Sequence, residues 1–209
     1  MERCDGDATH TQHRLAAILL HAHGLRHNKA IVIYLDAPSA ARLDLPLVSE
    51  EERGDSLDRM LADWDGQQPV WVFAYGSLIW RPGFEFAEAR GAELQDFRRD
   101  MCFTSIHYRG TPEAPGMVCS LMAAPDAICK GRAYRVAADH ADTVIATLDA
   151  RELINNIYAP EEHDILLDDG RRVSARVYVG VTAHAQFAGN WSEDKKAGVI
   201  AHAIASQGR

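Results

Sequence analysis

Residues 70–75 read Val-Trp-Val-Phe-Ala-Tyr, and Gly76-Ser77 follows at once. An apolar, aromatic run this short predicts a buried strand that ends in a sharp break. A buried strand needs partners, and the downstream sequence offers them. Phe84–Leu94 and Phe97–Ile106 contain two more extended segments. Met117–Met122 and Gly131–Val136 read as short strands flanking a Pro-Asp turn. His163–Leu167, Asp168-Asp169-Gly170 and Arg172–Gly180 spell a hairpin with strong turn chemistry. Asp139–Glu152 has a helical pattern, with Val144, Ile145 and Leu148 inward and Asp139 as its cap. Ser192–Ala205 predicts a closing helix. No βαβα rhythm appears. The expectation is an α+β domain whose antiparallel or mixed sheet curls toward a barrel.

The segment before Pro69 differs. Thr11–His23 predicts a short helix that Gly24 ends, and Ala30–Leu35 is a strand-type run. Ser49 followed by Glu50, Glu51 and Glu52 predicts a helix start, and Leu57, Leu61 and Trp64 continue its stripe. We therefore divide the chain into an N-terminal extension, 1–68, with a leader helix at about 49–64, and a domain at 69–209. With 209 residues, 47% of them apolar, one sizeable core plus a small extension is the natural partition.

Charge and cysteines narrow the partners. A net charge of −8 argues against a nucleic-acid surface and against an anionic membrane. No apolar run approaches the ~18 residues of a spanning helix. The start, Met-Glu-Arg-Cys-Asp-Gly-Asp, lacks the pattern of a secretory signal. Cys4, Cys102, Cys119 and Cys129 form no CxxC pair. These features predict a cytoplasmic protein with reduced thiols.

Three features hold polar groups where chemistry is possible. Val72-Phe73-Ala74-Tyr75-Gly76-Ser77-Leu78 runs a buried strand into a turn whose N–H groups suit a carboxylate or oxyanion. The same residues also describe a plain strand end with a capping Ser. Leu148-Asp149-Ala150-Arg151-Glu152 ends an apolar helix in charge, and a solvated helix end is the alternative account. Arg109-Gly110-Thr111-Pro112 through Pro115-Gly116 reads as an ordered connection able to wall a pocket. Tyr158 follows the helix closely enough to reach the same place, or to lie along the core. His10, His13, His21, His23 and His27 crowd the N-terminus without ligand spacing. There is no GxSxG elbow, Walker A loop or GxGxxG.

Four blocks, taken together, resemble the ChaC-type γ-glutamylcyclotransferases acting on glutathione. They are VWVFAYGSLIWRPG (70–83), RGTPEAPGMVCSL (109–121), GRAYRV (131–136) with LDARELINNIY (148–158), and RVYVG (176–180). The resemblance covers about Pro69 to Ala205. It implies a γ-glutamylcyclotransferase-like fold, a small mixed β-barrel with flanking helices. It implies cleavage of glutathione to 5-oxoproline and Cys-Gly. By the resemblance, Tyr75, Gly76, Ser77 and Leu78, with Val72, Phe73 and Ala74 before them, bind the γ-glutamyl group. Glu152 falls at the family's catalytic glutamate. Ala74 stands where the family usually has Gly. The family also continues in helical sequence beyond the helix at 192–205, whereas this chain ends at Arg209.

The implied reaction is an intramolecular aminolysis, in which the α-amine attacks its own γ-carbonyl and the peptide amine leaves. Orientation carries most of such a step. It requires no metal and no cofactor. A free Glu has a pKa near ~4.3 and an α-amine near ~8, so a useful base here must be partly desolvated. Arg151 would oppose that and is expected to point elsewhere. Tyr75 and Tyr158 are candidate orienting hydroxyls. The partner is a small molecule, glutathione. Two alternatives stay open, another γ-glutamyl amine or dipeptide as substrate, or an inactive module that binds a γ-glutamyl metabolite.

Overall fold

The computed structural model describes residues 17–19, 32–34, 64, 66–106 and 109–204. Contacts divide the chain into two units, Met1–Arg42 and Leu43–Arg209. In the first, β1 (Ala17–Leu19) pairs antiparallel with β2 (Val32–Tyr34), with Ile18 opposite Ile33. The strand expected within Ala30–Leu35 is there. The helix expected over Thr11–His23 is replaced at Ala17–Leu19 by a strand. A short isolated helix is marginal in water, and pairing with β2 satisfies this backbone instead. The leader helix at about 49–64 lies almost wholly outside the described residues.

The second unit is a closed barrel in the order β3-β5-β4-β6-β7, with a further β5–β7 pairing. Its strands are β3 (Val70–Ala74), β4 (Glu88–Ser105), β5 (Gly116–Val136), β6 (Tyr158–Leu167) and β7 (Arg172–Gly180). The pairings are antiparallel except two: β3 meets β7 in parallel register at Trp71↔Ala175 and Val72↔Arg176, and β5 meets β7 in parallel at Leu121↔Val179. The fold is α+β, as expected.

Two long strands replace four short ones. Phe84–Leu94 and Phe97–Ile106 merge into β4, and the segments flanking Pro125-Asp126 merge into β5. The turn chemistry is spent inside the strands. The register jumps from Gln95↔Ile128 to Phe97↔Ala123. There Asp96 and Asp126 take φ of 63° and 64°, and Asp96 Oδ1 accepts the Asp126 N–H at 2.9 Å. This bulge bends both strands and lets a two-strand ribbon curl into a barrel.

Alternation along β3 separates two cores. Trp71, Phe73 and Tyr75 join residues of all five strands inside the barrel. Val72 and Ala74 face outward, against Val144, Ile145 and Leu148 of α1 (Ala141–Glu152). Those three helix residues are the inward stripe expected from the sequence. Burying each is worth roughly 1.5–3 kcal/mol. Asp139 does not cap α1. A 3-10 turn over Ala138–His140 leads into the helix, and its N-cap position, His140, makes no side-chain cap bond. The last helix, α2 (Glu193–His202), is capped by Ser192, whose hydroxyl accepts the Lys195 N–H. The loop before β5 closes tightly on itself. A Cβ at Gly110 would run into the Gly116 backbone, and one at Gly116 into the Arg109 carbonyl.

Candidate active site

Past Ala74 the chain leaves the barrel wall and coils into a 3-10 turn over Ser77–Ile79. Gly76 O accepts the Ile79 N–H, and Ser77 O accepts the Arg81 N–H. The first N–H groups of such a turn have no acceptor within it. Among the described residues, a Cβ at Gly76 would meet nothing within 4 Å, so space lies directly against this backbone. The turn is fixed from two sides. Tyr134 Oη of β5 donates toward the carbonyls of Leu78 and Ile79 at 3.1 and 2.8 Å. Arg151 of α1 donates to Ser77 Oγ at 3.1 Å and to the Arg81 and Pro82 carbonyls at 3.3 and 3.4 Å.

Glu152 ends α1 beside this turn, with 19% of its side chain exposed. Burial raises its pKa, and the Arg151 charge only partly offsets the rise. The desolvation expected of a base is therefore present. The expectation that Arg151 points elsewhere is not met, because its Nε lies 3.3 Å from Glu152 Oε1. Its long side chain folds back over the helix end, where the acceptors of the 77–82 turn hold it.

Tyr75 and Tyr158 both lie within reach of the Glu152 charge. Burial is the main reason that both phenols titrate above their ordinary value, and the Glu152 charge adds to both. Tyr75 donates its hydroxyl to the Tyr178 carbonyl at 2.7 Å, and Tyr158 to the Cys119 carbonyl at 2.9 Å. Each hydroxyl proton is committed, so towards a bound molecule each phenol offers acceptor lone pairs. The structure thus gathers Tyr75, Gly76, Ser77, Glu152 and Tyr158. It does not bring the Val72, Phe73, Ala74 or Leu78 side chains to an open surface; all four are buried. The main chain of Val72–Ala74 pairs with β5, and the Leu78 carbonyl accepts from Tyr134.

Sequence reasoning missed the support behind Glu152. Asp149, one turn earlier on α1, accepts from Arg176 Nη2 at 2.8 and 2.7 Å. It also accepts from Tyr178 Oη at 2.6 Å. This cluster is buried and locks α1 onto β7. The i, i+3 spacing of Asp149 and Glu152 was visible in the sequence, but the partner strand was not.

The chain is similar to known proteins over most of the described barrel. A model of the ChaC-like protein family matches residues 70–209. The glutathione-specific gamma-glutamylcyclotransferase of Escherichia coli (strain K12) is 35% identical over 160 residues, 77% of this chain and 67% of that protein. Gamma-glutamylcyclotransferase 2-1 of Arabidopsis thaliana is 48% identical over 67 residues, 32% of this chain and 31% of that protein. The match therefore spans about a third of the Arabidopsis relative's length. A crystal structure of a yeast gamma-glutamyl cyclotransferase specific to glutathione superposes with a TM-score of 0.62 at 24% identity. It covers 68% of this chain and 81% of its own, and shows a shared fold.

Proposed function

The chain belongs to the ChaC-like protein family, and on that premise we propose that it is a γ-glutamylcyclotransferase cleaving glutathione to 5-oxoproline and Cys-Gly. The observation that carries the reading is Glu152, a desolvated carboxylate whose charge reaches two buried phenols, next to the Arg151 that bonds to Ser77 of the 77–79 turn.

In this reading the substrate's α-carboxylate and the developing γ-oxyanion lie against the turn amides near Gly76 and Ser77. The phenol oxygens of Tyr75 and Tyr158 accept from the α-amine, which suits groups whose own protons are already donated. Glu152 removes a proton from the amine as its nitrogen attacks the γ-carbonyl. It then returns that proton to the departing cysteinyl nitrogen. The C–N bond of the lactam forms and that of the γ-peptide breaks, with no covalent enzyme intermediate. Burial raises the carboxyl toward the range where it can exchange a proton with an amine. The described cysteines are free thiols, which supports a reducing, cytoplasmic setting. Among the described residues no helix is long and apolar enough to cross a membrane.

The test is 5-oxoproline release from glutathione by wild type and Glu152→Gln. The substitution keeps the shape and removes the base. A loss of ~10²–10⁴ in turnover is expected. Equal turnover would remove Glu152 from the mechanism, and release from γ-glutamyl-alanine at the same efficiency would widen the substrate class.

A further inference from the structure

We propose that Arg99 of β4 is the carboxylate anchor that selects the peptide end of the substrate. It receives the glycine carboxylate of glutathione at the side of the site away from Glu152. The inference rests on the glutathione reading above and deepens it.

The placement follows from register. Arg99 pairs with Leu121 of β5, between the pairs Phe97↔Ala123 and Met101↔Cys119. Cross-strand partners share a face. Phe97 and Leu121 belong to the barrel interior and Cys119 packs on it, so Arg99 springs from the interior face. An arginine rooted there must carry its charged head to water, and Arg99 is exposed. Its Nη2 donates to the Lys130 carbonyl at 2.7 Å. The next residue, Gly131, packs directly against the Ala74 carbonyl and the Phe73 ring. The guanidinium therefore stands at the lip of the barrel, by the end of β3 where the 76–79 turn begins.

The same lip leads back to the base. Arg99 acts on the Cys119 and Cys129 thiols, its charge countering the burial that pushes Cys119 up to about 11. Cys119 offers its carbonyl to Tyr158, which feels the Glu152 charge. Arg99 and Glu152 thus act on opposite ends of this Tyr158–Cys119 pair.

Charge completes the case. The neighbouring cations Arg98 and Lys130 pair with Asp100 and Glu93. Arg99 bonds to the Lys130 carbonyl and to the Cys129 thiol, both uncharged partners, and among the described residues no carboxylate lies within ion-pair distance of it, so its charge lacks a fixed counter-ion there. Glutathione carries two carboxylates. The α-carboxylate shares a carbon with the amine that Glu152 must reach, so it stays at the Glu152 end. The glycine carboxylate lies at the far end, and a guanidinium fork matches its two oxygens.

The experiment compares glutathione with its glycine monoethyl ester, using full-length wild type, Arg99→Met and Arg99→Lys, with 5-oxoproline release as the readout. Wild type is expected to prefer glutathione by roughly 10–100-fold in kcat/KM, the scale of a charge-assisted pair. Arg99→Met should lose about that factor on glutathione, mainly in KM, and treat the two substrates alike. Arg99→Lys should recover part of the preference, which a purely structural role would not predict. If wild type cyclises glutathione and ester equally well, or if Arg99→Met keeps the wild-type preference, the proposal is overturned and the function stands. If wild type releases no 5-oxoproline from either compound, the functional reading itself falls, and this proposal with it.

Discussion

Glu152 is pulled two ways. Burial favours its protonated form, and the Arg151 guanidinium favours the carboxylate. A base acts in its deprotonated form, so kcat/KM should rise with pH as Glu152 loses its proton. Arg151→Met removes the charge that opposes burial at this carboxyl, so its pKa climbs and the acid limb of the pH profile moves to higher pH. Tyr75 and Tyr158, which feel the Glu152 charge, stay neutral throughout that range because burial holds them high. Arg151→Lys keeps a charge beside Glu152 but forfeits the fork that holds Ser77, Arg81 and Pro82. Its acid limb should stay near the wild-type position while KM rises. A limb that does not move in Arg151→Met would show that the pair has no electrostatic role.

At the level of elements, the site depends on how α1 is seated. The apolar stripe Val144, Ile145 and Leu148 holds the helix against the outer face of β3. The Asp149–Arg176–Tyr178 cluster fixes its rotation and height on β7. Asp149→Ala would leave the Arg176 charge buried without that carboxylate, a loss of about 3–5 kcal/mol. Tyr178→Phe removes one hydroxyl bond to a charged group, worth about 1.5–3 kcal/mol. It spares the Tyr178 carbonyl that holds Tyr75. Urea unfolding should therefore rank Asp149→Ala well below Tyr178→Phe, and Tyr178→Phe below wild type. Equal stability of all three would mean that the apolar stripe alone seats the helix.

For the whole molecule, the barrel closes where β3 and β7 run parallel, and the two strands part after Val72↔Arg176. The turn and the end of α1 lie beyond that parting, so on the proposed reading a molecule bound there would meet groups from the segment after β3, from β6 and from α1 at once. A ligand that binds only the folded state raises its stability by RT ln(1 + [L]/Kd), about 2.7 kcal/mol at a hundredfold excess over Kd. In Glu152→Gln, where glutathione persists, adding it should raise the thermal midpoint in a concentration-dependent way. A midpoint unmoved by glutathione would count against a site assembled from these elements.

What could be read from residues alone was local. The buried run at 70–75, the break at Gly76-Ser77, the stripe of α1 and the Asp-Gly hairpin each follow from short-range rules, and each is present in the structure. The four blocks also carried the likeness to a family. Range set the limit of that reading. Pro125-Asp126 reads as a turn until Asp96, 30 residues away, accepts its amide and keeps the strand whole. Arg151 reads as a solvated helix end until the 77–82 turn supplies acceptors for its guanidinium. Asp149 and Arg176 become a buried pair only when α1 lies on β7. Side-chain charge is written in the sequence. Its solvation and its partners are set by packing between distant segments, and those decide what a carboxylate such as Glu152 can do.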